Sequence, residues 1–278
     1  QIKNYDYFVL LNSDVEVSPQ WLEPMVEAME ADRSIAACQP KILSEKKRDY
    51  FEHAGAAGGW LDCLYYPFCR GRVFHLTEKD EGQYDHSEEI FWASGAAMIC
   101  RAKLFLDIGG FDDFFFAHME EIDLCWRIKR AGYRIMSIPQ SVVYHVGGGT
   151  LDYDNPRKVF LNFRNSLFMI FKNKSMRTLW WLFFVRLSLD GLAGILFLTE
   201  GKWKNILAIL KAHFAFYRAI PQLRKRAKSE RELIERVSIS KEMNTKGILD
   251  KSIVLGFYLQ GRRRFGELVE MEDRAFSM

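Results

Sequence analysis

Asn12-Ser13-Asp14-Val15-Glu16 follows directly on an apolar run, Tyr7-Phe8-Val9-Leu10-Leu11. Carboxylates at the carboxyl end of a buried strand sit where open α/β sheets bind ligands. A hard cation such as Mg²⁺ or Mn²⁺ takes carboxylate oxygen and keeps positions for phosphate oxygen. Asp14 is therefore a candidate ligand for such an ion, and Asn12 a candidate hydrogen-bonding partner for a ribose or phosphate. The same residues also make an ordinary polar turn ahead of a helix. A second segment, Met119-Glu120-Glu121-Ile122-Asp123, puts three carboxylates at a helix start, where the helix dipole favours them. Phe114, Phe115 and Phe116 precede it. An acid beside apolar rings has a raised pKa and can serve as a general base. Asp123 lies four positions before Arg127, the spacing of a structural ion pair.

A third segment is His145-Val146 followed by three glycines, Gly147 to Gly149. Glycines let backbone approach a phosphate closely, and a neutral imidazole can complete a Mn²⁺ site. A core histidine is the plainer account of a single imidazole. Ser94-Gly95-Ala96-Ala97 leaves room for a sugar ring, or simply packs strands tightly. Arg70-Gly71-Arg72 suits either an anionic substrate or a solvated loop.

These segments need elements to position them. The spacing predicts a buried strand over 5–11, a helix from Ser18-Pro19 with Trp21, Leu22, Met25, Val26 and Met29 on its apolar face, and a strand at Ile35–Cys38. Residues 44–92 are irregular and punctuated by glycine, as in a loop excursion or small hairpin. A strand through Ala97–Cys100, a short helix over 102–108, a strong helix over 119–131 capped by Gly132, and strands at 133–138 and 141–144 follow. Alternating strands and helices up to about residue 150 indicate an α/β sheet domain.

Beyond residue 150 the pattern is helical. Residues 157–173 are amphipathic. Residues 179–199 approach the length of a membrane span but contain Arg186 and Asp190, spaced to pair on one helical face. A helix packed on the domain or lying in a membrane interface is expected there, rather than a span. Residues 202–236 form a basic amphipathic stretch. Residues 201–278 carry 17 Lys and Arg against 9 Asp and Glu, while residues 1–200 carry 22 against 27. A basic tail on a mildly acidic body suits an anionic surface. No nucleic-acid motif accompanies it, so nucleic acid is not an expected partner. The five cysteines form no CxxC pair, as in a reducing, cytoplasmic protein.

Taken in order, Asn12-Ser13-Asp14, Ser94-Gly95-Ala96-Ala97, Gly109-Gly110-Phe111-Asp112, Glu120-Glu121-Ile122-Asp123-Leu124-Cys125-Trp126-Arg127 and His145 with its glycines form a recognisable series. Across roughly residues 5–173 the chain resembles family 2 glycosyltransferases of the GT-A fold, especially bacterial rhamnosyltransferase-like members. Arg164-Asn165 resembles that family's following helix.

The resemblance implies a GT-A, Rossmann-like mixed sheet flanked by helices. It implies inverting transfer of a sugar from a nucleotide-diphosphate donor to a hydroxyl of a glycan or lipid-linked acceptor, in cell-surface polysaccharide synthesis at the inner face of the membrane. By position, it makes Asn12 and Asp14 donor-binding, Asp14 and His145 ligands of Mn²⁺ or Mg²⁺, and Glu121 the base. Glu120 stays in contention, because Glu stands where the family has Asp and reaches roughly 1.5 Å further. Ser94, Gly95 and Ala96 are the candidate acceptor-binding residues.

The family's usual opening βαβ nucleotide-binding region has no counterpart here. The expectation is therefore an N-terminally truncated domain over 1–155, weak in donor binding alone, followed by a helical, basic region over 156–278. A metal-dependent phosphohydrolase and a non-catalytic carbohydrate or membrane-surface module remain the alternatives on residues alone.

Overall fold

The computed structural model describes residues 5–147 and 155–269, without the side chains of residues 176–178. Strand β1 (Tyr7–Leu11) and the short β2 (Val15–Val17) flank the Asn12–Asp14 turn. Helix α1 (Glu23–Ala31) leads into β3 (Ile35–Ser44). A small sheet of β4 (Gly59–Leu61), β5 (Pro67–Cys69), β6 (Arg72–Val73) and β7 (Leu76–Thr77) fills most of the irregular region. Then come β8 (Glu88–Glu89), β9 (Ala97–Arg101), α2 (Ala102–Asp107), α3 (Glu120–Arg130) and β10 (Arg134–His145). The main sheet runs β1-β9-β3-β10-β2, with β8 also against β10. Only β3 and β10 pair in parallel, so the sheet is mixed, as expected.

The two-residue period of a strand sends alternate side chains to opposite faces, and each face has its own core. Cys38, Ile42, Ile99 and Val143 meet Trp21, Met25 and Met29 below the sheet. Ala37, Leu43, Met98 and Cys100 meet Leu124, Trp126 and Phe168 above it. Met25 and Met29 are fully buried, each contributing roughly 2 kcal/mol by area. Helix α1 starts later than Ser18-Pro19 predicts. Ser18 Oγ donates 2.6 Å to the Val142 carbonyl instead of capping a helix, and Pro24 opens α1. The second strand runs past Cys38 to Ser44, since a parallel partner of nine registered positions holds it. The strands expected at 133–138 and 141–144 are one strand with a register shift between Ile138 and Val142.

Helices α4 (Pro156–Asn173), α5 (Met176–Thr199) and α6 (Trp203–Val237) form the helical region, followed by α7 (Ile253–Leu259) and α8 (Phe265–Val269). The later chain is bound into the earlier half. Leu61 exchanges backbone bonds with Gly247 and Leu249 at 2.9 and 2.8 Å, and Trp60 packs on Phe265. Helix α5 is long and apolar enough to cross a membrane by length and composition. Arg186 and Asp190 face inward. Arg186 donates to Ser166 Oγ at 2.6 Å and the Leu64 carbonyl at 3.1 Å, while Asp190 lies 2.9 Å from His213 Nε2. The two therefore take separate partners instead of pairing with each other.

Candidate active site

Strand register brings the three chemical segments to one end of the main sheet. Leu11 at the end of β1 pairs with Ala97 at the start of β9, so the Asn12–Asp14 turn lies beside Ser94–Ala96. The Asn12 amide donates to the Ala96 carbonyl at 2.9 Å. His145 closes β10 opposite Val15, and the Val146 amide donates to the Asp14 carbonyl at 3.0 Å. Gly95 packs on Glu121: a methyl group at Gly95 would sit 3.6 Å from the Glu121 Cβ.

His145 Nε2 lies 3.3 Å from Asp14 Oδ1. Two ligands of one ion, each bonded at roughly 2.1 Å and at right angles, stand about 3 Å apart. The imidazole is buried, and neither ring nitrogen is aligned for a full hydrogen bond, although both are within ion-pairing range of a carboxylate. A buried, unsatisfied nitrogen facing a half-exposed carboxylate suits a divalent ion, and the pair fits one. The second ring nitrogen, Nδ1, lies 3.1 Å from Glu52 Oε2. A carboxylate behind a ligating histidine fixes its orientation and raises its basicity. Burial pulls the His145 pKa down, but Glu52 and Asp14 outweigh it and leave the pKa raised. Glu52 is itself held by the Ala54 amide. A side chain at Gly147 would collide with Glu52, which explains that glycine. Gly148 and Gly149, also singled out in the sequence, lie outside the described residues.

Glu121 sits in the first turn of α3, with one carboxylate oxygen buried and unpartnered, as has Glu120. Burial, then the charge of Glu120, pushes the Glu121 pKa up to about 7. Burial also raises that of Glu120. The phenylalanines are not the direct cause. Phe114 stacks on Phe168 at 5.0 Å, and Phe116 is 71% exposed. They belong instead to a strained loop that delivers the acids. Phe116, His118 and Met119 have φ of 68°, 67° and 73°, a region costly for side-chain-bearing residues. Asn165 Nδ2 donates to the carbonyls of Phe115, Ala117 and His118 at 3.0, 2.7 and 2.8 Å, and Arg164 to that of Phe115 at 2.8 Å. The Arg164-Asn165 pair is thus a clamp on the approach to Glu120.

Other candidates fall elsewhere. Ser94 and Ala96 are buried, with the Ser94 amide bonded to Gln39 at 2.8 Å, and Gly95 is the least buried of the three. Arg70 is neither a substrate contact on a loop surface nor solvated. It is buried, bonds the Ala57 carbonyl at 3.2 Å and lies over the Tyr84 ring. Among the described residues, Asp112, Asp123 and Glu230 form a tight carboxylate cluster, but the Lys172 ammonium already occupies it. Sequence reasoning missed Glu52, which no local pattern marks as a partner of a histidine 93 residues away. It also missed the use of Asn165, for which the side chain's four hydrogen-bonding sites are the one available signal.

Comparisons with known proteins show the family of the chain. It belongs to glycosyl transferase family group 2, whose model matches residues 7–218. It is 37% identical over 140 residues to the rhamnosyltransferase WbbL of Escherichia coli, covering 50% of this chain and 52% of that one. It is 24% identical over 143 residues to an N-acetylglucosaminyl-diphospho-decaprenol L-rhamnosyltransferase of Mycobacterium tuberculosis, covering 50% of this chain and 47% of that one. The chain therefore spans about half the length of these two relatives. A looser structural likeness is to GalNAc-T7 solved with UDP, GalNAc and Mn²⁺, at 14% identity and TM-score 0.40 over 59% of this chain and 31% of that one.

Proposed function

We propose that this chain carries the reaction centre of an inverting sugar transfer from a nucleotide-diphosphate donor to a hydroxyl of a glycan or lipid-linked acceptor, with rhamnose as the favoured sugar. The names of the two rhamnosyltransferase relatives support the sugar, and the decaprenol-linked substrate in one name supports the acceptor class. The single observation that carries the mechanism is Glu121, whose carboxylate keeps one buried oxygen without a partner, against the small residue Gly95.

Glu121 takes the proton from the acceptor hydroxyl as its oxygen bonds to the anomeric carbon and the bond to the diphosphate breaks. A base whose pKa is near neutrality is suited to this step. Gly95 leaves room for the acceptor ring beside Glu121, with Ser94 and Ala96 fixing its backbone. Asn12 and Asp14 face the donor. Asp14 and His145 hold Mn²⁺ or Mg²⁺, and Glu52 orients the imidazole. A divalent ion held there supplies positive charge to the departing diphosphate.

The acceptor class agrees with the outer face of the helical region. Helix α5 points Arg186 and Asp190 inward and leaves Trp180, Trp181, Phe184, Ile195 and Leu198 exposed. An inverted helix of this kind, aromatic-rich and beside basic α6, suits the inner interface of a membrane. The residues up to 155 then form the catalytic unit and those from 156 the helical region that brings it to the surface.

The test is a screen of the full-length protein with Mn²⁺ or Mg²⁺, a range of nucleotide sugars, and polyprenyl-diphosphate glycan acceptors, read by mass spectrometry of products. Sugar transfer with inverted anomeric configuration is expected. Failure of every donor to bind would overturn the reading, as would release of free phosphate without transfer.

A further inference from the structure

A cavity of about 590 Å³ lies between the C-terminal ends of α3 and α4 and the second half of α6. Such a volume falls in the range of small-ligand sites. Besides Lys172, five cations line it: Arg130, Lys174, Arg224, Lys228 and Arg231. Among the described residues none of the five has a carboxylate within ion-pairing distance. The carboxylates Asp112, Asp123 and Glu230 are taken by Lys172, with Arg226 adding to Asp112 and Arg127 to Asp123. Arg130 reaches only the Asn173 amide oxygen, at 3.3 Å, and Lys174 only the face of Tyr65.

Helix dipoles account for part of this charge. Arg130 and Lys174 stand at the ends of α3 and α4, where cations are favoured. Dipoles do not account for the α6 residues. Arg224, Lys228 and Arg231 lie well before its end at Val237 and are spaced by four and three, on one face of the helix. Like charges at that spacing repel one another. The favourable partner for such a wall is a multivalent anion. Guanidinium groups bind phosphate oxygens through paired donors, and ammonium groups add point charge.

We propose that this cavity binds a phosphate or diphosphate ester group, as a site separate from the reaction centre. Arg130 is nine residues beyond Glu121 on α3, about 14 Å along the helix at 1.5 Å per residue. The proposal therefore stands whether or not Glu121 is the base. Two sources carry this chemistry. The exposed aromatic residues Phe214 and Tyr217 precede Arg224 on α6, and exposed Trp180 and Trp181 follow the α4–α5 corner. A membrane lipid lying on that face brings its phosphate to the cavity. A soluble polyphosphate reaches it from solvent.

The full chain is titrated with inorganic pyrophosphate by calorimetry in the presence of EDTA, which silences any metal-dependent diphosphate site. In parallel it is floated with phosphatidylcholine vesicles with and without phosphatidylglycerol. The variant Arg224→Gln/Lys228→Gln/Arg231→Gln is expected to bind the effective probe roughly a hundredfold more weakly, at about fivefold per cation. Circular dichroism should report an unchanged fold, since all three side chains are exposed. Lys228→Gln alone gives about a fivefold loss, by the same reasoning, and keeps the test valid if the triple variant misfolds. Asp14→Ala should bind as the wild type does. Loss of phosphatidylglycerol-dependent flotation in the charge variants assigns a lipid phosphate. Loss confined to pyrophosphate assigns a soluble ligand. The proposal is overturned if the wild type binds neither probe, or if the charge variants bind both as well as it does.

Discussion

Helix α3 carries two sets of buried carboxylates, two residues apart in sequence and treated in contrary ways. Asp123 is saturated: Arg127 Nε at 2.9 Å, Lys172 Nζ at 3.1 Å and Asn173 Nδ2 at 2.8 Å all donate to it. Its neighbour Asp112 takes Lys172 and Arg226. Glu120 and Glu121 have no cation, and each keeps a buried oxygen without a donor. The titration behaviour follows. Burial raises the Asp112 pKa, but Lys172, the Phe114 amide and Arg226 together outweigh it, and the net shift is downward. Nothing reverses the rise at Glu121. A carboxylate neutralised on every side joins elements together, whereas one desolvated and left alone is held in a reactive state at a cost in stability.

The largest effect that would break this comparison is in catalysis. Glu121→Gln keeps the shape and removes the proposed base, and a general base typically contributes roughly 10²- to 10⁴-fold. Transfer should fall by that factor while donor binding, read by calorimetry, is retained. The carboxylate of Glu121 also costs stability. Its folded pKa lies above the ordinary 4.5, so the folded state favours the protonated form. That contribution is full below 4.5 and is lost as pH rises through about 7. The variant should therefore melt no lower than the wild type at pH 8. A lowered melting temperature with intact turnover would place Glu121 among the structural acids.

Asp123→Ala should behave in the reverse manner. It leaves buried Arg127 without a carboxylate and takes one of three from Lys172, and breaking a buried ion pair from one side typically costs roughly 3 to 5 kcal/mol. Denaturant melts should show that loss. The turnover of the fraction still folded should stay within an order of magnitude of the wild type, because Asp123 is packed toward α4 and away from Gly95.

Residue patterns show one part of this contrast and hide the other. The α3 helix, the turn after β1 and the chain's α/β order are local, and periodicity and strand ends reveal them. The acid pair and His145 are visible for the same reason, since each ends or begins an element. The four-residue spacing shows Arg127 beside Asp123, but the other cations that neutralise Asp112 and Asp123 are Lys172 and Arg226, on helices 49 or more residues away from Asp123, and no spacing rule reports them. Arg186 and Asp190 illustrate the converse. Their spacing of four fits a pair, but the Leu64 carbonyl and Ser166 take Arg186, and His213 takes Asp190, once the helix is packed. Asn165 is legible as a motif residue and not as a clamp, because the carbonyls it binds exist only in the folded loop.

The smallest effect is the sharpest discriminator between the two glutamates. The charge of Glu120 is the second cause of the raised Glu121 pKa, after burial. If Glu121 is the base, the rate at low substrate should rise tenfold per pH unit below about 7 and level off above it, because the base works only when ionised. Glu120→Gln removes a negative charge and preserves volume. Ionising Glu121 then becomes easier, and the acid limb of the profile should move to lower pH by less than the full displacement, since burial remains. Turnover at pH 6 should rise relative to that at pH 8. If Glu120 were the base, the same substitution would abolish transfer at every pH, and no limb would be left to move. The profile of this one variant thus decides which of two adjacent carboxylates carries the proton.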